Sequence, residues 1–279
     1  MSLSINEVKE KCTQNKYFSY DSWEDRLFIL PAMYLVWVCI RLGISGNAVS
    51  WLSAFVAIFG AFLLTSDDSL VVFIGSFGYI GWYLLDYVDG AVARFNGKGS
   101  VSGQYVDWIM HVIAHVATVV GIMIGAMSTT GAWIYPFVIL GIIASSLAYA
   151  KFSMAWFAIC MEQQQRRAKG YDILEEDKLP ASLAVDWFGF KYIRGFTILV
   201  FHETHLVFWL PLIALFQLFQ VIELIDLRIV FTVLAGTVYF LVQVLETHRL
   251  VVTKKIEKGY SELFSSTHRP DLPDDHFFK

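Results

Sequence analysis

Hydrophobic positions along this chain come in long, nearly unbroken runs, unlike the alternation of a half-buried strand or the one-sided stripe of a surface helix. Six runs, near 48–66, 69–93, 104–127, 132–158, 196–220 and 229–250, are each about 20 residues or longer. At about 1.5 Å of rise per residue, each is long enough to cross a hydrocarbon core of about 30 Å. Runs of that length in lipid are expected to be helices, which satisfy their own backbone. A shorter apolar stretch, Leu27 to Leu42, holds Pro31, Tyr34 and Trp37 between Arg26 and Arg41. At about 16 residues it is marginal for a span, so an interfacial amphipathic helix is expected there.

The expected fold is therefore an all-α integral membrane protein with six transmembrane helices preceded by an interfacial amphipathic helix. Residues 1–25 read as a polar tail of mixed charge without the basic start and short apolar run of a signal peptide. Residues 26–252 form the membrane domain, and 253–279 a second polar tail. The runs differ in length and their connections do not echo one another, so no internal repeat is expected.

Composition agrees with the pattern. Of 279 residues, 56% are hydrophobic and only 16% charged, against about 25% charged in soluble domains. This excludes low-complexity disorder, collagen and small disulfide scaffolds. A net charge of −4 gives no argument for a nucleic-acid partner. Cys12, Cys39 and Cys160 show no paired spacing and are expected to stay reduced.

The few cations are unevenly placed. The connection with Asp67 and Asp68 has no basic residue, nor has Ser128-Thr129-Thr130, and the one from Glu223 to Arg228 has only Arg228. The other side collects Lys9, Lys11, Lys16, Arg26, Arg41, Arg94, Lys98, Arg166, Arg167, Lys169, Lys178, Lys191 and Arg194, with six more from Arg249 onward. By the positive-inside rule, both termini are expected to face the cytosol, as an even number of spans requires.

Ionisable groups inside spans are costly, so each is a functional candidate. Asp86 and Asp89 end the second run three residues apart, on one helix face. Asp107, His111 and His115 open the third at intervals of four, again on one face. Between them lies a Gly-rich turn, Arg94 to Gly103. Carboxylates gathered at one level need compensation. A divalent cation supplies it, and oxygen ligands favour Mg²⁺ or Mn²⁺ over Zn²⁺.

These residues carry a resemblance. Asp86-x-x-Asp89-Gly90-x-x-Ala93-Arg94, eight residues, Gly103, three residues, Asp107, three residues and His111 resembles the CDP-alcohol phosphotransferase signature. Spacing agrees throughout, and seven of its eight defining residues are present. The segment Ile44 to Ser50 resembles the short Asn-containing stretch before that family's first span, with Gly46 where proline is usual.

The resemblance implies a six-helix membrane enzyme of phospholipid biosynthesis. It would move a substituted phosphate from a CDP-alcohol to an acceptor hydroxyl and release CMP, with two divalent cations. It implies that Asp86, Asp89 and Asp107 bind metal, and that Asp86, Asp89, Gly90, Ala93, Arg94, Gly103 and Asp107 form the CDP site. It also implies a donor and an acceptor, at least one of them a lipid, and a homodimer. CDP-diacylglycerol with a polar acceptor, and a CDP-linked small alcohol with a lipid acceptor, both fit the signature.

His111 departs from the pattern, which ends in an aspartate thought to bind the second metal and to take the acceptor's proton. An imidazole can do either, as a base near neutral pH and a softer metal ligand. The alternatives are altered metal or acceptor choice, and an inactive member.

Lys151, His202, Glu203 and His205 are expected at similar depth and are candidate acceptor-binding residues. The competing reading has Lys151 snorkelling to the interface and Glu203 paired within the bundle. His115 reads as a hydrogen-bonded core histidine. The basic segment around Arg166-Arg167 reads as a topology determinant touching anionic membrane lipids. The rival from another class is a divalent-cation transporter, which would need polar groups to continue across the bilayer.

Overall fold

The structure, a computed structural model, describes residues 4–14, 23–97, 100–150, 190–219 and 226–252. Every secondary-structure element among them is helical. Helix α1 spans Ile5–Gln14 and α2 Trp23–Leu42, followed by α3, Gly46–Leu64, and α4, Ser69–Phe95. Helix α5 is Val101–Thr129; α6 is Ala132–Ala150, entered through a 3₁₀ turn at Ala132–Ile134. Helices α7, Phe190–Phe201, and α8, Glu203–Leu218, precede α9, Leu227–Val252, which holds a π-helical turn at Ala235–Tyr239.

Helix starts follow from capping chemistry. Ser45 accepts from the Ala48 amide at 3.3 Å, Asp68 from Leu70 at 2.8 Å, Ser100 from Gly103 at 3.0 Å and Asp226 from Arg228 at 2.9 Å. Each gives an otherwise orphaned N–H its acceptor. Gly43 ends α2 in the left-handed region at φ 69. The Gly43 and Ile44 amides then reach back to Ile40 and Cys39, satisfying the last carbonyls.

Five helices, α3, α4, α5, α6 and α9, are long and apolar enough to cross a membrane. The molecule is thus a multi-pass helical membrane protein by length and composition. Large apolar side chains such as Trp51, Phe55, Phe59 and Phe62 lie exposed along α3, as expected where lipid replaces water. The run at 196–220, expected as a single span, is two helices bent by 64°, the geometry of a broken span or of a re-entrant pair. The chain leaves helical geometry at His202, whose ψ is 141, inside the one polar interruption of that run, His202-Glu203-Thr204-His205. Residues 151–158 of the fourth run and residue 220 lie outside the described residues, as do the basic segment at 166–178, Cys160 and the tail from 253 onward.

Small residues set the spacing of α3, α4 and α5. A Cβ on Gly78 would stand 2.5 Å from the Gly60 Cα, and one on Gly60 2.6 Å from the Gly78 Cα. Backbones that approach this closely gain dispersion contacts, which drive association in lipid. Nearer the α4 terminus the same device recurs, because a Cβ on Gly46 would lie 2.7 Å from the Asp89 carbonyl oxygen and 3.1 Å from the Ala93 Cβ.

The stretch expected as an interfacial helix is the 20-residue α2. Its buried residues Ile29, Ala32, Met33, Val36 and Cys39 share a core with Val88, Ala91 and Val92 of α4. The segment read as a polar tail contains α1, which starts on a reciprocal cap. Ser4 N–H donates to Glu7 Oε2 at 2.6 Å, and the Glu7 amide to Ser4 Oγ at 3.2 Å. Val8 and Cys12 bury in the α2–α4 core, and Lys11 Nζ donates to the Phe95 carbonyl at 3.2 Å. Apolar spacing at residues 8 and 12 was the available signal.

A polar knot closes the opposite end of the bundle. Arg228 is buried and donates from Nη1 to the carbonyls of Leu64 at 3.0 Å and Ser66 at 2.8 Å, capping the end of α3. Its Nε and Nη2 contact Asp226 Oδ2 at 3.0 and 2.8 Å. Asp226 also accepts from Gln217 Nε2 at 2.6 Å and Thr129 Oγ1 at 3.3 Å. Four helix ends, of α3, α5, α8 and α9, are thereby tied together.

Candidate metal centre

The last turns of α4 and the first turns of α5 lie side by side because α3 packs between small residues of both. Asn47, in the first turn of α3, brings its Oδ1 to 3.5 Å from where a Gly103 Cβ would be, and Gly46 sits on Asp89 and Ala93. The short connection after Phe95 turns at Gly97, whose φ is 63. Asp86 and Asp107 are thus carried by two adjacent helices, with His111 one turn beyond Asp107.

One oxygen each of Asp86 and Asp107 and one nitrogen of His111 lie within 4.8 Å of one another. His111 Nε2 is 2.8 Å from Asp86 Oδ1 and 3.6 Å from Asp107 Oδ1. All three are half-buried. Two carboxylates and an imidazole converging on one point form a donor set suited to a divalent cation, since the ion neutralises the paired charge and matches hard oxygen ligands. The His111 ring lies edge-on to Trp82, with centroids 5.1 Å apart at 89°, and stacks on Trp108 at 5.7 Å and 29°. Two indoles therefore fix the imidazole plane.

Asp89 is not in the three-residue group. It is buried and accepts from Ser50 Oγ at 2.5 Å, on the α3 side of α4. The smallness of Ala93 is accounted for by Gly46 against it. Gly90 lies beneath Arg94, because a Cβ there would stand 3.1 Å from both terminal nitrogens of the guanidinium. Arg94 thus folds back along its own helix over the face that carries Gly90. Gly103, in the first turn of α5, donates its amide to the Ser100 hydroxyl.

Among the candidate acceptor residues, His202 is exposed at the break before α8 and His205 is half-buried one turn on, their rings 6.2 Å apart. Phe208, the next turn of α8, meets Phe28 at 6.1 Å, and Phe28 stacks on Tyr87 at 6.1 Å. Helix α8 therefore begins at the end of the bundle that carries Asp86. Lys151 and the side chain of Glu203 lie outside the described residues.

His115 is fully buried, with Nδ1 3.0 Å from the Tyr79 hydroxyl, in keeping with the core-histidine reading. Sequence reasoning did not single out Ser50, Trp82 or Trp108. Ser50 ends the Asn-containing segment already noted, and Trp82 precedes Asp86 by one turn on the same face, so spacing held a signal for both.

Compared with known proteins, the chain matches no family model and no curated protein sequence.

Proposed function

We propose that this protein is a CDP-alcohol phosphotransferase that moves a substituted phosphate from a CDP-alcohol to an acceptor hydroxyl and releases CMP. The observation that carries the reading is the convergence of Asp86, Asp107 and His111, three positions of the signature, on one point within 4.8 Å. Asp86 and Asp107 would hold a divalent cation, Mg²⁺ or Mn²⁺, with Asp89 close by on the same helix and His111 either a third ligand or, with its lone pair free, a base. A bound cation supplies neutralisation of charge on the diphosphate and on the departing CMP.

The chain's own residues supply the rest. The acceptor oxygen forms a bond to the phosphorus of the alcohol-linked phosphate as the bond to the CMP oxygen breaks, and CMP leaves with that electron pair. The acceptor's proton needs a base, and His111 is the member of the group suited to take it near neutral pH. Trp82 and Trp108 keep its ring oriented for that task. Arg94, folded over Gly90, offers a guanidinium to the diphosphate. The distribution of Lys and Arg supports a cytosolic placement of this end of the bundle and of both termini, where a soluble nucleotide-linked donor would arrive. A lipid substrate would enter between helices. The resemblance extends to a second cation and a homodimer.

The decisive assay takes purified protein with Mg²⁺ or Mn²⁺ and a panel of CDP-alcohols, with and without alcohol acceptors, and follows CMP. Release that depends on both metal and CDP-alcohol supports the reading; its absence across the panel removes it.

Divalent-cation transport is the second reading, favoured by buried polar side chains that continue below the cluster to Thr118 and Ser145. Against it, no carboxylate follows Asp107 within α5, and the buried guanidinium of Arg228 stands beside Gly125 at the far end. Metal flux into proteoliposomes without CDP-alcohol would favour transport.

A further inference from the structure

Hydroxyls on membrane helices ordinarily bond a carbonyl one turn back. Ser76, Ser146, Thr232 and Thr247 do so here, reaching Phe73, Ile142, Arg228 and Gln243 at 2.6 to 2.9 Å. Thr118 and Ser145 do not. Their hydroxyls and the Trp82 Nε1 are buried polar atoms without a hydrogen-bond partner among the described residues. Thr118 and Ser145 are 1% exposed and Trp82 0%. Leaving such groups unsatisfied in an apolar interior is costly, and more so in lipid, where water cannot reach them.

The three lie along one path of contacts leading inward from the cluster. Ring contacts run without a gap from the metal cluster inward: His111 to Trp82 at 5.1 Å, Trp82 to Tyr79 at 4.9 Å, Tyr79 hydroxyl to His115 Nδ1 at 3.0 Å, and His115 to Tyr149 of α6 at 4.6 Å. Thr118 follows His115 by three residues on α5. Ser145 precedes Tyr149 by four on α6, which runs the opposite way. Both hydroxyls therefore lie about one turn below the His115–Tyr149 contact, roughly 10 Å beyond His111.

The chemistry narrows the ligand. Trp Nε1 only donates, while Ser and Thr both donate and accept, so the set matches an oxygen that does both. No Asp, Glu, Lys or Arg occurs in 69–85 or 112–150, which leaves no fixed charge for an ion. We propose that α4, α5 and α6 enclose a hydroxyl-binding pocket beneath the cluster. In it Thr118 and Ser145 hold the hydroxyl of a water molecule or of a small neutral alcohol, with the Trp82 indole N–H toward the His111 end and Tyr79, His115 and Tyr149 forming the wall. If the occupant is an alcohol it is the acceptor, and that step alone rests on the phosphotransfer reading.

Radiolytic hydroxyl-radical footprinting of the purified full chain tests this, because radicals born at bound hydroxyls oxidise adjacent buried aromatics. Tyr79 and Trp82 are expected to label several-fold above Phe201 and Tyr239, which are also buried but stack on each other at 4.4 Å in an apolar setting. Thr118→Val combined with Ser145→Ala is expected to bring that labelling down to the Phe201 level; if the pair fails to fold, Ser145→Ala alone is expected to lower it by half or more. Labelling no higher than at Phe201 and Tyr239, or labelling unchanged in the variants, overturns the pocket. Glycerol serves as the small-alcohol probe, with exposed Trp133 correcting for scavenging. Protection of Tyr79 beyond that at Trp133 identifies an alcohol, and none beyond it identifies water. CMP release in the same preparations separates the two readings: labelling without release leaves the pocket and removes the transferase, and release without labelling does the reverse.

Discussion

His111 Nε2 lies 2.8 Å from Asp86 Oδ1, so the residue at the last position of the signature contacts the residue at its first, across the α4–α5 crossing. The place where an acid is usual is filled by a side chain that still points at the cluster. Its ring is held between Trp82 and Trp108.

Substitutions at the cluster should separate ligand from base. Under the proposed phosphotransfer, Asp107→Ala is expected to lower CMP release by at least about a hundredfold, since it would remove a charged donor to metal and substrate. His111→Asp restores the usual acid and is expected to retain measurable activity, whereas His111→Ala loses it. Initial rates of CMP release across a metal series check all three, and unchanged turnover in Asp107→Ala would sink the mechanism.

Metal affinity should follow the geometry. Asp86→Asn and Asp107→Asn are each expected to weaken Mn²⁺ binding about tenfold or more, roughly 1.4 kcal/mol. Asp89→Asn, outside the three-residue group, should cost less. Paramagnetic titration of purified protein with Mn²⁺ gives the order directly, and an equal or larger loss at Asp89 would mean that the ion sits nearer Ser50.

Ser50→Ala removes the hydroxyl that bonds buried Asp89 at 2.5 Å. An unsatisfied buried acceptor of this kind costs about 1–3 kcal/mol. Thermal unfolding in detergent should therefore show a lower midpoint, with Ser53→Ala as the control at a buried hydroxyl that touches no acid.

Acid should loosen the far end of the bundle. Burial would raise the Asp226 carboxyl, but hydrogen bonds from Arg228 and Gln217 outweigh it and hold the group below the usual carboxylate range. A depressed folded value means that the stabilisation is complete above the unfolded value of about 3.9 and is lost as pH falls through the folded one. Stability is expected to decline below about pH 4. Arg228→Met strips the Leu64 and Ser66 carbonyls of their cap and is expected to cost about 3–5 kcal/mol. It should also flatten that acid limb. Unfolding midpoints of both proteins across pH 3 to 7, a range chosen to bracket the carboxylate values, check the sign.

Close packing at the glycine seam should tolerate no added carbon. Gly78→Ala places a Cβ 2.5 Å from the Gly60 Cα, and both are backbone of long helices that cannot move independently. Overpacking of this kind costs about 1–3 kcal/mol. Gly131→Ala, where nothing lies closer than 3.8 Å, should be neutral in the same thermal assay.

Sequence alone determined the solvent, the helical class and most of the span positions. Long apolar runs in lipid leave the backbone little choice, and capping residues such as Ser45, Asp68, Ser100 and Asp226 mark the starts. It also placed Asp86, Asp107 and His111 at one level, because intervals of three and four on two adjoining helices fix both depth and face. Only the tertiary structure decided how those faces meet. Whether Asp89 turns toward the cluster or toward Ser50 depends on the rotation of α4 against α3, which Gly46, Ala93, Gly60 and Gly78 set by letting the backbones touch. The docking of α1 through Val8 and Cys12, the bend at His202 and the gathering of Thr118 and Ser145 below His111 share that origin. Each depends on contacts between residues far apart in the chain, and local periodicity carries no information about which distant neighbour will be there.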